Sequence, residues 1–265
     1  MKITSGKAVL AVEAHGSGPD VLLLHAGVTD RRSWRHVVDA LPDHRCIAFD
    51  SRGYGETTYE PEDGWSRVDE AVAVLDAYGV GSAVVVACSM GGRTGLDLAL
   101  SHPDRVRALV LIGSAVSGAP DIEEEEEDLQ WLESAYARAE EAGDLDEINR
   151  LEALVWLDGP RAGEGRVAGA ARELFLEMNK HALEAADPGE ERRDVDAWEH
   201  AHGISVPTLV MIGEHDLSHI HANAEHLAHD IPGARLVALP DVAHLPHLED
   251  DERTLREIAD FVASV

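Results

Sequence analysis

Six short apolar runs alternate with helical patterns along this chain, and that alternation restricts the fold more than any other feature. Residues 21–24, 46–49, 84–86, 109–112, 208–212 and 235–239 read as strands, and 21–24 and 46–49 are apolar throughout, as strands covered on both faces must be. Helical spacing fills residues 31–41, 66–78, 90–101, 222–231 and 251–262, with Ser66 as the N-cap of the second of these. Strands alternating with helices predict parallel pairing through right-handed crossovers. Residues 7–14 read as an edge hairpin arm, closed by the glycine-rich turn at 15–19.

The middle of the chain breaks the alternation. Residues 120–200 hold no strand-like run. Helical patterns at 129–142, 146–157 and 167–186 are separated by breakers at Gly143, Gly159-Pro160 and Asp187-Pro188-Gly189. An all-helical insertion inside an α/β alternation predicts a cap over a sheet. The expected division is a core of residues 1–116 and 201–265 and a helical cap of 117–200.

The run Val84-Val85-Val86-Ala87-Cys88 ends in Ser89-Met90-Gly91-Gly92, and helical spacing follows at once. A serine among small residues at such a junction reads as a nucleophile elbow, whose backbone is strained and tolerates only small neighbours. Ala87 stands where glycine is usual. The alternative is an ordinary strand–turn–helix junction with an incidental serine.

A serine hydroxyl needs a base to take its proton, an acid to hold the base, and donors for the oxyanion. Asp216 lies just past the 208–212 run and His244 just past the 235–239 run, so all three groups fall beyond the carboxyl ends of strands. Glu214 is the competing acid, and Asp241 reads as a turn residue. The loop His25-Ala26-Gly27-Val28 follows the first buried run; its small residues offer backbone N–H groups, and the amides of Gly27 and Met90 are the expected oxyanion donors. His25 reads as a loop-holding histidine rather than a second base.

Taken together, His25-Ala26-Gly27, Asp50-Ser51-Arg52-Gly53-Tyr54-Gly55, Cys88-Ser89-Met90-Gly91-Gly92, His102-Pro103-Asp104-Arg105-Val106, Gly213-Glu214-His215-Asp216 and His244 resemble the α/β-hydrolase superfamily. The resemblance covers the chain outside the insertion. It is similar above all to the enol-lactonase, carboxylesterase and carbon–carbon hydrolase group. It implies a mostly parallel eight-stranded sheet with flanking helices and an inserted all-helical cap. It also implies a serine hydrolase acting on small or medium esters or lactones through an acyl-enzyme. A carbon–carbon hydrolase of a vinylogous diketone, with Arg93 as a carboxylate binder, and a hydrolase-fold ligand receptor are the alternatives. Ser89 in place of an aspartate argues against dehalogenases and epoxide hydrolases. Val28, Trp131, Trp156 and Leu157 are the candidate pocket residues.

The net charge of −29 argues against nucleic acid or an anionic membrane as partner, because phosphate would be repelled. From 117 to 200 there are 25 acidic against 8 basic residues, so this stretch carries much of the excess. Residues 123–127 are all glutamate, which reads as a solvated helix start. No apolar run of about 18 residues is present, and the amino terminus lacks the apolar stretch of a secretory signal. Cys46 and Cys88 sit in strand-like runs and read as two reduced, buried thiols in a cytoplasmic protein. His226 and His229 read as surface histidines, so no metal and no cofactor is expected. A small-molecule substrate and a monomer or homodimer complete the expectations.

Overall fold

The computed structural model describes residues 1–120 and 129–265; the glutamate run at 123–127 lies outside the described residues. In chain order the strands are β1 (Lys2–Ser5), β2 (Ala8–His15), β3 (Asp20–Leu24), β4 (Arg45–Phe49), β5 (Thr58–Tyr59), β6 (Ala83–Cys88), β7 (Val106–Ile112), β8 (Thr208–Gly213) and β9 (Arg235–Leu239). They form one sheet in the order β1-β2-β4-β3-β6-β7-β8-β9, with the two-residue β5 paired to β2. From β4 to β9 every pairing is parallel, and only the β1, β2 and β5 margin is antiparallel. β1 and β5 carry no pattern that marks them in the sequence: one holds a single large apolar residue and the other is too short to show a period.

The crossover and flanking helices are α1 (Arg35–Ala40), α2 (Arg67–Ala77), α3 (Met90–Ser101), α8 (Ser218–Asp230) and α9 (Glu252–Ala263). Period-two alternation divides the strands between two cores. Val85, Ala87, Leu109, Leu111 and Val210 pack with α2, α3 and α8 on one face. Val84, Val86, Cys88, Val110 and Met211 pack with α1 and α9 on the other. Burying a side chain of this size stabilises by about 1.5–3 kcal/mol, so the central strands dominate the fold.

Between β7 and β8 the longer regular elements among the described residues are helices joined by loops. They comprise α4 (Gln130–Ala142), α5 (Leu145–Glu152), a π-helical turn at Ala153–Asp158, α6 (Ala170–Leu183) and the short α7 (Ala197–His200). The helix expected over 146–157 therefore changes pitch after Glu152, and the one expected over 167–186 is shorter at both ends. Arg166 ties this insertion to the His244 loop. Its guanidinium donates to Leu157 O at 2.7 Å and Asp241 O at 2.9 Å, and pairs with Glu249 at 2.6 Å. Buried Asp158 accepts from the Val167 and Gly165 amides, each at 2.9 Å, and from Arg172 at 2.7 Å.

Cys46 and Cys88 are free and buried, and burial pushes both thiols up. No helix among the described residues is long and apolar enough to cross a membrane.

His247 is fully buried and stacked on Trp34 at 4.2 Å, with neither ring nitrogen hydrogen-bonded among the described residues. Burial, with His244 and His36 nearby, pulls its pKa from 6.5 to about 3. Between those two values the unfolded chain holds a proton that the folded chain does not. Stability is therefore present above pH 6.5 and lost as pH falls below it. From pH 7 to pH 5 this group alone should cost about 2 kcal/mol. Urea midpoints at the two pH values check this: His247→Phe, which keeps an aromatic ring on Trp34, should lose less than half as much as wild type.

Candidate active site

Ser89 joins β6 to α3 with φ 53° and ψ −116°. The other non-glycine residues with positive φ among the described residues are Asp241 and Asp250. A serine held there costs on the order of 1–3 kcal/mol, and the surroundings enforce it. Ser89 N donates to Ile112 O at 3.0 Å, and Ser89 O accepts from the amides of Arg93 at 3.0 Å and Ala115 at 3.1 Å. Gly91 lets the new helix pass the β3 end, since a Cβ there would meet Leu24 O at 2.1 Å. At Ala87 the helix presents Gly95, where an added Cβ would lie 3.5 Å from the Ala87 methyl. That is ordinary van der Waals spacing, so the Ala87 methyl is accommodated beneath the helix without a clash.

His244 and Asp216 meet beyond β8 and β9. The His244 ring donates from Nδ1 to Asp216 Oδ2 at 2.7 Å, and both side chains are 1% exposed. Asp216 Oδ1 accepts the Leu217 amide at 2.8 Å, which fixes the carboxylate plane. Glu214 is occupied elsewhere, accepting the Asp241 amide at 3.1 Å, so the competing acid is excluded by position. Gly113, at φ +50° just past β7, is a site residue that the sequence did not mark. A Cβ there would come within 2.9 Å of His244 Nδ1 and 3.1 Å of Asp216 Oδ2.

Ser89 and His244 line one cavity of about 310 Å³, together with Gly27, Val28 and Met90 on one side. Arg93, Ala115, Glu152 and Trp156 complete it. The Ser89 hydroxyl makes no hydrogen bond among the described residues; such catalytic contacts commonly tighten only in the substrate complex. A larger hollow of about 430 Å³ beside Arg31, Arg35 and Leu174 contains no serine or cysteine nucleophile.

A model of the α/β-hydrolase fold family matches residues 19–251. The chain belongs to the α/β-hydrolase family. This hydrolase is 31% identical over 267 residues to 2-hydroxymuconate semialdehyde hydrolase of Pseudomonas sp. strain CF600, covering 98% of this chain and 88% of that one. Its structure is similar to the enol-lactonase from Burkholderia xenovorans LB400, with a TM-score of 0.70, 27% identity and 97% of each chain covered. It is also similar to a thermophilic esterase from Thermogutta terrifontis, with a TM-score of 0.73, 26% identity, and 100% of this chain and 98% of that one covered.

In this hydrolase the loop after β3 adjoins the elbow: a Cβ on Gly27 would lie 3.7 Å from that of Met90. The amides of Gly27, Val28 and Met90 are taken by no acceptor among the described residues. His25 holds the loop, as its spacing suggests. Its Nδ1 donates to Ala26 O at 2.8 Å and its Nε2 accepts the Ser51 amide at 3.1 Å. Both nitrogens are thus spent, and burial lowers its pKa.

Of the expected pocket residues, Val28 and Trp156 line the cavity. Trp131 and Leu157 do not. Trp131 is 49% exposed on α4, and Leu157 is fully buried against the sheet. Helical spacing cannot separate a residue facing the cavity from one facing the core, because both are apolar. His226 stacks on Trp198 at 3.6 Å and bonds its carbonyl, so this histidine serves packing. Arg93 reaches the cavity but is paired with Glu191 at 3.1 Å, alongside Arg67 at 2.5 Å. Glu152 is the polar cavity residue that sequence reasoning missed; its only sequence signal is a lone carboxylate flanked by the apolar residues 151 and 153–157.

Proposed function

We propose that this hydrolase cleaves a small or medium carboxylic ester or lactone through an acyl-enzyme. The observation that carries the reading is the buried 2.7 Å contact of His244 Nδ1 with Asp216 Oδ2 in one cavity with a strained, unbonded Ser89 hydroxyl. Ser89 Oγ attacks the carbonyl carbon while His244 Nε2 takes its proton. The amides of Gly27 and Met90, the latter at the start of twelve-residue α3, hold the oxyanion. Collapse breaks the bond to the alcohol oxygen, which receives the proton from His244. Water, deprotonated by His244, then attacks the acyl-enzyme; the acid leaves and Ser89 recovers its proton. Asp216 keeps Nδ1 protonated so that Nε2 is free to act as base.

The helical insertion, residues 117–200, serves as the cap and supplies Trp156 and Glu152 to the cavity. Two free buried thiols support a reducing, cytoplasmic location.

A panel of 4-nitrophenyl esters of graded acyl length, with several lactones, tests the reading. At least one should be turned over repeatedly with kcat/KM of about 10⁴ M⁻¹s⁻¹ or more. The second reading, carbon–carbon hydrolysis of a vinylogous diketone, is favoured by the 31% identical relative. Consumption of such a diketone acid with no ester or lactone turnover would select it. A single covalent turnover without release would instead mark a receptor.

A further inference from the structure

Glu152 is a half-buried carboxylate with no cation beside it among the described residues. It ends α5, just before the π-helical turn, and lines the cavity of Ser89 and His244. Several carboxylates of this chain with little exposure are matched to guanidiniums: Asp50 to Arg31, Glu70 to Arg52, Asp158 to Arg172, Glu191 to Arg67; Asp97, which takes only the Ser117 hydroxyl, is not, and it lies outside the cavity of Ser89 and His244. Among the described residues Glu152 has no ion pair. Its one partner is an amide. Asn179 Nδ2 donates to Glu152 Oε2 and, at 3.0 Å, to Asn149 Oδ1; Asn149 Nδ2 donates in turn to Leu176 O at 2.9 Å.

Asn149 and Asn179 are themselves buried, so this relay holds the carboxylate in place without cancelling its charge. No protein donor reaches Oε1 among the described residues. Burial raises the Glu152 pKa above the usual carboxylate range, against the opposing pull of the Asn179 hydrogen bond. A partly desolvated carboxylate whose only protein partner is a neutral amide keeps its charge, and in a cavity that charge is open to a ligand.

Two features favour a cation as that ligand. Trp156, four residues along, places its indole in the same cavity, 4.7 Å from the His244 ring, and an indole attracts ammonium groups. The chain's net charge of −29 draws cations rather than anions. Arg93 does not compete, because Glu191 holds it. A neutral hydroxyl would satisfy Oε1 but leave the charge uncompensated.

We propose that Glu152 determines specificity in this cavity and selects ester or lactone substrates that carry a protonated amine. The proposal rests on the hydrolase reading above, and its test separates binding from turnover. Methyl 6-aminohexanoate and methyl heptanoate match in length and differ in a terminal ammonium against a methyl group. Calorimetry measures the binding of each to the Ser89→Ala protein and to the same protein carrying Glu152→Gln.

The ammonium ester should bind the Ser89→Ala protein about tenfold more tightly or better, and the ratio should fall to near unity with Glu152→Gln. Equal affinities in the Ser89→Ala protein, or a ratio that survives Glu152→Gln, overturn the proposal. Where Glu152→Gln does not fold, Glu152→Asp must shrink the ratio while keeping its sign, and an unchanged ratio overturns it. Wild-type turnover of neutral 4-nitrophenyl esters tests the hydrolase reading by itself. Failure there shows in the ester panel; failure here shows in the binding ratio.

Discussion

Ser89→Ala should lower ester kcat by a factor on the order of 10⁴–10⁶ and leave a folded protein with substrate affinity near wild type. The hydroxyl is the only group lost, and it makes no hydrogen bond among the described residues whose removal would expose a partner. The backbone at φ 53° is retained, so alanine inherits the strain of serine. Glycine does not: Ser89→Gly should be equally inactive yet more stable than Ser89→Ala by about 1 kcal/mol or more, because its φ preference is symmetric. Steady-state kinetics with the best ester of the panel and thermal melts of the three proteins measure both parts. Retention of a tenth of wild-type activity in a cleanly folded Ser89→Ala protein would remove the nucleophile from the reading.

Asp216→Asn should lower kcat by about 10⁴ with little change in KM. The carboxylate accepts the His244 Nδ1 proton at 2.7 Å and the Leu217 amide at 2.8 Å. An asparagine whose carbonyl keeps the Leu217 amide turns its NH₂ toward Nδ1. The imidazole must then accept at Nδ1 and carry its proton on Nε2, where it cannot take one from Ser89. Shape and volume are unchanged, so melting temperature should move by only a few degrees. A loss of less than tenfold would mean that another group orients His244, and Glu214 is already committed to the Asp241 amide.

The fold was legible wherever a strand is covered on both faces. All six residues of β6 are buried, and such a segment must be apolar at every position, which a one-dimensional reading detects. At the margin the signal fails: β1 and β5 are defined by pairing with β2, and pairing partners are not written in either segment. The insertion was legible as helical, but not where its pitch changes. The π-helical turn after Glu152 arises from packing against the sheet and the His244 loop, where Leu157 is buried and Arg166 reaches across to Asp241 and Glu249.

The site divides in the same way. Ser89, Asp216 and His244 were readable as candidates because each follows a strand, and strand ends are marked by composition. The His25 role was readable because a polar residue in a tight loop serves nearby backbone groups. Gly113 was not, since its requirement comes from His244, 131 positions away along the chain, and Asp216 passing over it. Trp131 and Leu157 shared the apolar character of Trp156, yet one turns to solvent and the other into the sheet.

The sequence by itself determined the alternating sheet, the tight turn at Ser89 and the placing of Asp216 and His244 just past later strands. These depend on period, on turn sterics and on what a strand end can carry, all of which are local. Only the tertiary structure decided that Asp216 rather than Glu214 meets His244, which residues of the helical insertion face the cavity, and that Glu152 stands there with no ion pair among the described residues. Those outcomes depend on distances between segments far apart in the chain, and on the desolvation that closing them together imposes.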